Sequence, residues 1–355
     1  MELIINSAVE KYLIKADATI IEALNRLNAL SGKSSMTLFV VDDNGKVLGT
    51  LTDGDIRRSL VAGAELHTSV SKVMHTDFVS LEDGNIDVRE IRRMRKGKVT
   101  LVPCLAEDGT IVRLHDFSTQ NSLLPVDAVL MAGGKGERLR PLTNDTPKPL
   151  LKLGGKCIID YNIEALARNG VSRVNVTTNY LAEQLEEHFS RPVAGVKVNC
   201  VKEPCRLGTI GALSLVDDLQ SDTVLLMNSD LLTNINFEDM YINHIESGAD
   251  VTVAVNPYVV SVPFGVLVSD ENGEVQGLEE KPTFNYFTNA GIYLIKRELL
   301  SLIPQGEYYD ATDFLEDVLK EGKSVRQFPI NGIWIDIGSP ADFKQAENLI
   351  QLSSL

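Results

Sequence analysis

The 355-residue chain has little that would tie it to a membrane, a nucleic acid or an oxidising compartment. Its apolar runs are strand-length, so no membrane-spanning helix is expected. Met1-Glu2-Leu3 opens without a basic start followed by an apolar stretch, so no signal peptide is expected and a cytoplasmic location is. Cys104, Cys157, Cys200 and Cys205 share no metal-like or redox spacing, as expected of free thiols in a reducing cytosol. Basic residues are outnumbered 34 to 49, and the deficit is uneven. Up to Leu124 there are 15 basic and 17 acidic residues, whereas the remainder carries 19 and 32, a net of −13. Nucleic acid is therefore disfavoured as a partner, while a small anion in a locally basic cleft stays open. Two common glycine loops are also missing. Gly134-x-Gly136 meets Leu139 where a dinucleotide fingerprint needs a third small residue. Gly154-Gly155-Lys156-Cys157 lacks both the spacing and the hydroxyl of a P-loop. None of the five histidines has a sequence neighbour that marks it as a ligand or base.

What is present centres on Asp127 to Thr143 and on Pro147-Lys148-Pro149. Ala128 to Ala132 is a short, uniformly apolar run, the pattern of a parallel strand covered on both faces. It opens into Gly133-Gly134-Lys135-Gly136, where missing Cβ atoms let backbone N–H groups approach a polyanion. Arg138 adds a planar fork for phosphate and Lys148 a mobile point charge. This stretch resembles the signature G-G-x-G-[ST]-R-L-x-P-x-T plus P-K-P of the sugar-1-phosphate nucleotidyltransferases. The resemblance implies a nucleotide held by Met131, Ala132, Gly133, Gly134, Lys135 and Gly136, with Arg138 on the β- and γ-phosphates and Lys148 near the α-phosphate. Glu137 departs from the pattern, putting a carboxylate where Ser or Thr is usual. It points away, pairs with a neighbouring cation or meets a metal.

Downstream, strands and helices alternate: Ile158–Ala167 as a helix, Val174–Thr177 as a strand, Leu181–Phe189 as a helix, Val196–Val201 as a strand. A helix from about Gly208 and the strand Val224–Met227 follow, which makes a doubly wound α/β sheet with ligands at the carboxyl ends of its strands. Glu203 to Ala212 resembles the family's E-x-x-x-L-G-T-A-G-A, implying base recognition by Glu203, Gly208 and Thr209. Asn228-Ser229-Asp230 ends a strand, with Ser229 where the family has glycine. Trp334-Ile335-Asp336-Ile337-Gly338 resembles its W-x-D-x-G. Asp230 and Asp336 are thereby the expected ligands of Mg²⁺. Pro263-Phe264-Gly265-Val266 starts a hairpin turning at Glu271-Asn272-Gly273, and Asn289 begins a further strand. The resemblance assigns the sugar phosphate to Gly265, Glu280, Lys281 and Asn289, with Lys281 on its phosphate. Trp334 is expected to pack rather than stack on a ligand.

The first third repeats itself. Thr19 precedes a helical pattern with Ile20, Ala23, Leu24 and Leu27 on one face, followed by the hairpin Leu38–Val41 and Val47–Thr52. A helix near Ile86–Met94 and a hairpin through Leu101–Leu105 and Ile111–Leu114 restate that order. The arrangement resembles a tandem pair of CBS domains, modules that often bind adenine nucleotides. Gly45, Gly49, Thr52 and Asp55 keep the family's G-x-x-x-G-x-x-[ST]-x-x-D, implying Thr52 and Asp55 as contacts of a regulatory nucleotide. Arg113, Asp116 and Thr119 fill the corresponding slots of the second repeat, which makes an equivalent second site doubtful. A dimerising scaffold without ligand is the other reading. The basic run from Arg89 to Lys98 is expected as a solvated helix face.

The expected organisation is a tandem CBS (α+β) module over 1–122, with repeats of about 1–66 and 67–122. A nucleotidyltransferase-type, doubly wound mixed α/β sheet (Rossmann-like) follows over 123–355. In this order the chain resembles the glucosamine-1-phosphate guanylyltransferases of bacterial legionaminic-acid biosynthesis and related mannose-1-phosphate guanylyltransferase-like proteins. The resemblance implies GTP and a sugar-1-phosphate as partners, a homo-oligomer and an adenine-nucleotide effector at the CBS pair. Uridylyl, thymidylyl or cytidylyl transfer, and a non-catalytic nucleotide-sensing subunit, are the competing readings.

Overall fold

In the computed structural model, which describes residues 9–32 and 35–352, the chain divides into two compact units between Leu123 and Leu124. The first eight residues of the expected 1–122 module lie outside the described residues.

In the first unit, β1 (Leu13–Lys15), α1 (Ile20–Ala29), β2 (Thr37–Val41) and β3 (Val47–Thr52) form one repeat, and α2 (Asp53–Val61) follows it. The other repeat is β4 (Leu81–Glu82), α3 (Val88–Lys96), β5 (Leu101–Leu105) and β6 (Ile111–Asp116). Both sheets pair their first two strands parallel and the next two antiparallel. Each hairpin also carries a register shift at the same place, Val40/Val41 and Cys104/Leu105. Phe39, Val41, Val47 and Leu101 are buried in a cluster to which both sheets contribute, so each repeat covers apolar surface the other cannot bury alone. The repeats diverge after the hairpin. Thr52 leads into α2, whereas the corresponding Asp116 leads into a turn at 117–119. Arg89, Arg93, Lys96 and Lys98 are exposed on or just beyond α3, as expected of a solvated face.

The second unit is built on β7 (Val126–Met131), whose first five residues are buried. After β8 (Lys152–Leu153) and β9 (Lys156–Cys157) come α4 (Ile158–Arg168), β10 (Val174–Thr178), α5 (Ala182–His188), β11 (Val198–Lys202) and β12 (Thr223–Asn228). Then follow β13 (Leu231–Thr233), α6 (Phe237–Ser247), β14 (Val251–Ser261), β15 (Val266–Ser269), β16 (Val275–Glu279) and β17 (Thr283–Lys296). The chain closes with α7 (Ala311–Lys320), β18 (Val325–Pro329), β19 (Trp334–Asp336) and α8 (Pro340–Leu352). The main sheet runs β11-β10-β7-β12-β17-β14-β18. Its first four strands are parallel, and β17 is antiparallel to both neighbours. From β7 the chain winds outward to β10 and β11, then returns to place β12 on the other side of β7. The gap between the ends of β7 and β12 is thus the topological switch point.

Two expectations are corrected. No α-helix begins at Gly208: a turn leads into a 3₁₀ segment, Gly211–Leu215, because Gly208 and Gly211 are clamped against the backbone of Glu307 and Tyr309. Asn289 does not begin a strand; it lies inside β17, beside the bulge where β14 changes register between Val253 and Val255.

His244 of α6 is buried against Thr252, at 2.8 Å from its hydroxyl, with Lys296 and Asp250 nearby. Burial first, and Lys296 second, push its imidazole down to about 4. As pH falls, the unfolded chain therefore takes up this proton first, near its ordinary value of about 6.5. The contribution to stability is complete above about pH 6.5 and is lost toward pH 4, by up to about 3 kcal/mol. Urea unfolding at stepped pH should show this loss, and His244→Gln should flatten it.

Candidate active site at the switch point

The glycine turn leaves β7 at Met131 and is held on both sides. Ala132 N–H donates to Thr177 O at 3.0 Å, which keeps the turn on β10. Gly133 lies against the buried carboxylate of Glu203, where any Cβ would collide. Glu203 in turn accepts the Leu207 N–H at 3.4 Å, and burial pushes its carboxyl up. Gly134 differs, since a Cβ there meets open space. At Gly136, with φ of 61°, a Cβ would press on Thr143 and on the Lys148 stem. Thr143 Oγ1 donates to Gly136 O at 2.8 Å, and Tyr180 donates to Thr143 O and Asn144 O at 3.0 and 2.8 Å. Exposed Lys135 and Gly134 form the outer tip of this strapped loop.

Lys148 is buried and ion-pairs with Asp230, with an Asp336 carboxylate oxygen 3.7 Å from its ammonium. These carboxylates are distant in sequence but adjacent in space. β13 and β19 pair antiparallel with Leu231 opposite Asp336, and the Ile337 N–H donates to Asp230 O at 3.1 Å. Burial, and then the neighbouring Asp230 charge, raise the Asp336 carboxyl, while Lys148 and Arg138 oppose that rise. Arg138 is exposed and lies across Gly338, where a Cβ would come within 3.0 Å of its guanidinium. One oxygen of Asp230, Oδ1, is buried with no hydrogen-bond partner. Glu137 is exposed and its carboxylate sits 3.7 Å from Arg140, so it pairs with a neighbouring cation.

Several supports were not legible in the sequence. Ser229 Oγ donates to Met131 O at 2.6 Å, tying the ends of β7 and β12 together. Asn162 of α4 donates to Ser229 O and Leu231 O at 3.4 and 3.0 Å, on either side of Asp230. Asp310 accepts from Thr209 N and Oγ1 at 3.0 and 3.1 Å and fixes the Gly208–Thr209 turn. Only the polar residue types hinted at these roles, because each partner is dozens of residues away.

The sugar-assigned residues lie on the segments around β15–β16 and in β17. All four are exposed: Gly265 lies just before β15, Glu280 and Lys281 in the bend between β16 and β17, and Asn289 within β17 opposite Val255. Gly265 faces Glu280, whose Oε2 would be 3.1 Å from an added Cβ. Asn289 is engaged within β17, donating to Tyr293 OH at 2.7 Å and accepting the Gly291 N–H at 2.9 Å. Trp334 Nε1 donates to Ala290 O at 2.9 Å. In the first unit, Thr52 and Asp55 satisfy one another in a capping box at the start of α2, and Asp55 also pairs with Arg58 at 2.5 Å.

Fold and site define an α/β protein with a glycine loop and a lysine–carboxylate cluster at its switch point. The chain belongs to the nucleotidyl transferase family, which residues 127–352 match, and residues 10–62 match the CBS domain. Among curated relatives, a putative mannose-1-phosphate guanyltransferase of Sulfolobus acidocaldarius is 31% identical over 221 residues, 61% of each chain. The mannose-1-phosphate guanylyltransferase catalytic subunit beta of Dictyostelium discoideum is 32% identical over 225 residues, 61% of this chain and 62% of that one. The chain thus spans about three fifths of the length of these relatives. The crystal structure of a putative glucose-1-phosphate thymidylyltransferase from Bacillus anthracis, in complex with a sucrose, shares the fold. It is 23% identical, with a TM-score of 0.51 over 63% of this chain and 94% of that one.

Gly133→Ala should destabilise the second unit by about 1–3 kcal/mol, since its Cβ overpacks a buried carboxylate. Gly134→Ala should leave stability within about 0.5 kcal/mol. Urea unfolding of both variants checks the contrast.

Proposed function

We propose that the chain is a sugar-1-phosphate nucleotidyltransferase, joining a nucleoside triphosphate to a sugar-1-phosphate with release of pyrophosphate. The observation that carries the reading is the Lys148–Asp230–Asp336 cluster beside the glycine loop at the switch point. In-line attack by the sugar-phosphate oxygen on the α-phosphorus requires alignment and charge neutralisation rather than a protein nucleophile. The loop from Met131 to Gly136, with Arg138, holds the β- and γ-phosphates, and Gly134 leaves room for them. Lys148 draws charge from the α-phosphate as the bond to the leaving pyrophosphate lengthens. Glu203, Gly208 and Thr209 form the base edge, with Asp310 keeping that turn in place. The sugar phosphate is already ionised, so no general base is required.

The unpartnered Asp230 Oδ1 and the half-buried Asp336 carboxylate make an all-oxygen donor pair suited to a hard divalent cation. Mg²⁺ held there would supply Lewis acidity and a template for the phosphates. Lys281, Glu280, Gly265 and Asn289 receive the sugar phosphate, Lys281 on its phosphate. GTP is the favoured nucleotide, as the curated relatives are named for guanylyl transfer to mannose-1-phosphate. Glucosamine-1-phosphate or a related hexose phosphate is the favoured acceptor. The CBS module is the regulatory part, with an adenine nucleotide at Thr52 and Asp55 competing with their mutual capping bonds, and the chain works as a cytoplasmic homo-oligomer.

Pyrophosphate release, crossing the four common NTPs against glucosamine-, glucose-, mannose- and N-acetylglucosamine-1-phosphate, tests this reading. Release with GTP and a hexosamine or mannose phosphate is the expected result. Silence across the grid in a folded, nucleotide-binding sample would favour the nucleotide-sensing subunit. Asp230→Asn should lower kcat by at least about 100-fold while the protein stays folded. Glu137→Thr should retain or improve nucleotide affinity, as it removes a negative charge beside the triphosphate; a large loss would assign that carboxylate a positive role.

A further inference from the structure

Outside the switch point, the fold gathers residues that looked unrelated in the sequence. Cys157 is the residue preceding α4, Asp160 lies in the first turn of that helix, and His188 ends α5. One ligand atom from each, the Cys157 Sγ, an Asp160 carboxylate oxygen and a His188 ring nitrogen, lies within 4.8 Å of the others. His188 Nε2 is 2.8 Å from Asp160 Oδ1. In sequence the histidines have no pairing that suggests a ligand and the cysteines no metal-like spacing; the fold brings one of each together with Asp160. The spacing was silent because the third member arrives from another helix.

We propose that Cys157, Asp160 and His188 form a binding site for a transition-metal ion of the Zn²⁺ class, separate from the carboxylate pair at the switch point. One thiolate, one imidazole and one carboxylate are the donor types that zinc accepts, with a fourth, tetrahedral position left to solvent. The donor chemistry also separates the two sites: an oxygen-only pair favours Mg²⁺, whereas sulfur and nitrogen favour the softer ion. Cys157 is buried, while the Asp160 and His188 side chains are 14% and 25% exposed, so an ion reaches the donors from one open side. Ligation through Nε2 exchanges the Asp160–His188 hydrogen bond for two bonds to the metal, with the neutral ring carrying its proton on Nδ1 instead, and the Cys157 thiol releases its proton to solvent.

The position suggests a consequence. Cys157 is paired with Lys152 at the end of the hairpin that follows Lys148. Asp160 shares α4 with Asn162, whose amide holds the backbone on both sides of Asp230. An ion here would pin the first turn of α4 to the end of α5 and so stiffen the support of the Asp230 loop.

Cobalt titration of the full-length, chelator-treated protein tests the proposal, with Co²⁺ as a spectroscopic stand-in for Zn²⁺. The expected result is a one-to-one complex with a thiolate-to-cobalt charge-transfer band, discharged by Zn²⁺ and retained in Asp230→Asn. Cys157→Ser should abolish the band, and His188→Ala should weaken Co²⁺ binding by at least about 100-fold, beyond the 10–100-fold of an outer-shell change. Zn²⁺ should also raise the Tm of the wild-type chain by several degrees and leave Cys157→Ser unmoved. Absence of the band, or a band that survives Cys157→Ser, overturns the proposal. Should Cys157→Ser fail to fold, His188→Ala decides alone, and unchanged affinity there has the same consequence.

Discussion

A buried ammonium between two carboxylates is the interaction on which the second unit depends. Asp230 and Asp336 would repel one another and resist burial, and the raised Asp336 carboxyl records both effects. Lys148 offsets that cost by taking a position between them. Such a cluster is a weak source of net stability, because desolvation consumes much of the Coulombic gain. Its value lies in placing charge of both signs at one point. That is possible only because the surrounding backbone is fixed: the β13–β19 ladder sets one carboxylate beside the other, and the Ser229 hydroxyl ties the β12 end to β7.

The glycine loop shows how the same few ångströms serve packing and access at once. Gly133 and Gly136 are required from inside, by Glu203 and by the Thr143–Lys148 wall. Gly134 is required by nothing within the protein, so its absent side chain keeps space free on the solvent side. The strap through Thr143 and Tyr180 holds the loop to the segment after β10, so its open tip is presented by a rigid base. By contrast, the outer part of the β14–β17 ladder exposes Tyr258, Tyr286 and Phe287, and two-stranded ladders are marginal in water without a covering layer.

In the first unit a different constraint governs. Each repeat is too small to bury its own sheet, and the cluster around Phe39 is completed by residues of the other repeat. The shared register shift at Val40/Val41 and Cys104/Leu105 argues for one structural unit used twice. The divergence after Thr52 and Asp116 explains why only the first copy builds the capping box of Thr52 and Asp55.

The sequence by itself determined what is local. The apolar run of β7, the glycine spacing after it, the hairpins at Asn44-Gly45 and Asn272-Gly273, and the repeat order all rest on neighbours within a few residues. The helix expected at Gly208 failed because remote backbone, at Glu307 and Tyr309, overrode the local pattern. Asn289 was misplaced as a strand start because a long ladder carries on through a bulge without a sequence break. Asp230 and Asp336 could be named from motifs, but their separation, and the lysine between them, could not. The same holds for Cys157, Asp160 and His188, which no spacing rule joins. Tertiary structure decided these, because charge interactions, metal ligation and burial depend on distance in space, and only the sheet order and the β13–β19 pairing convert distant positions into adjacent ones.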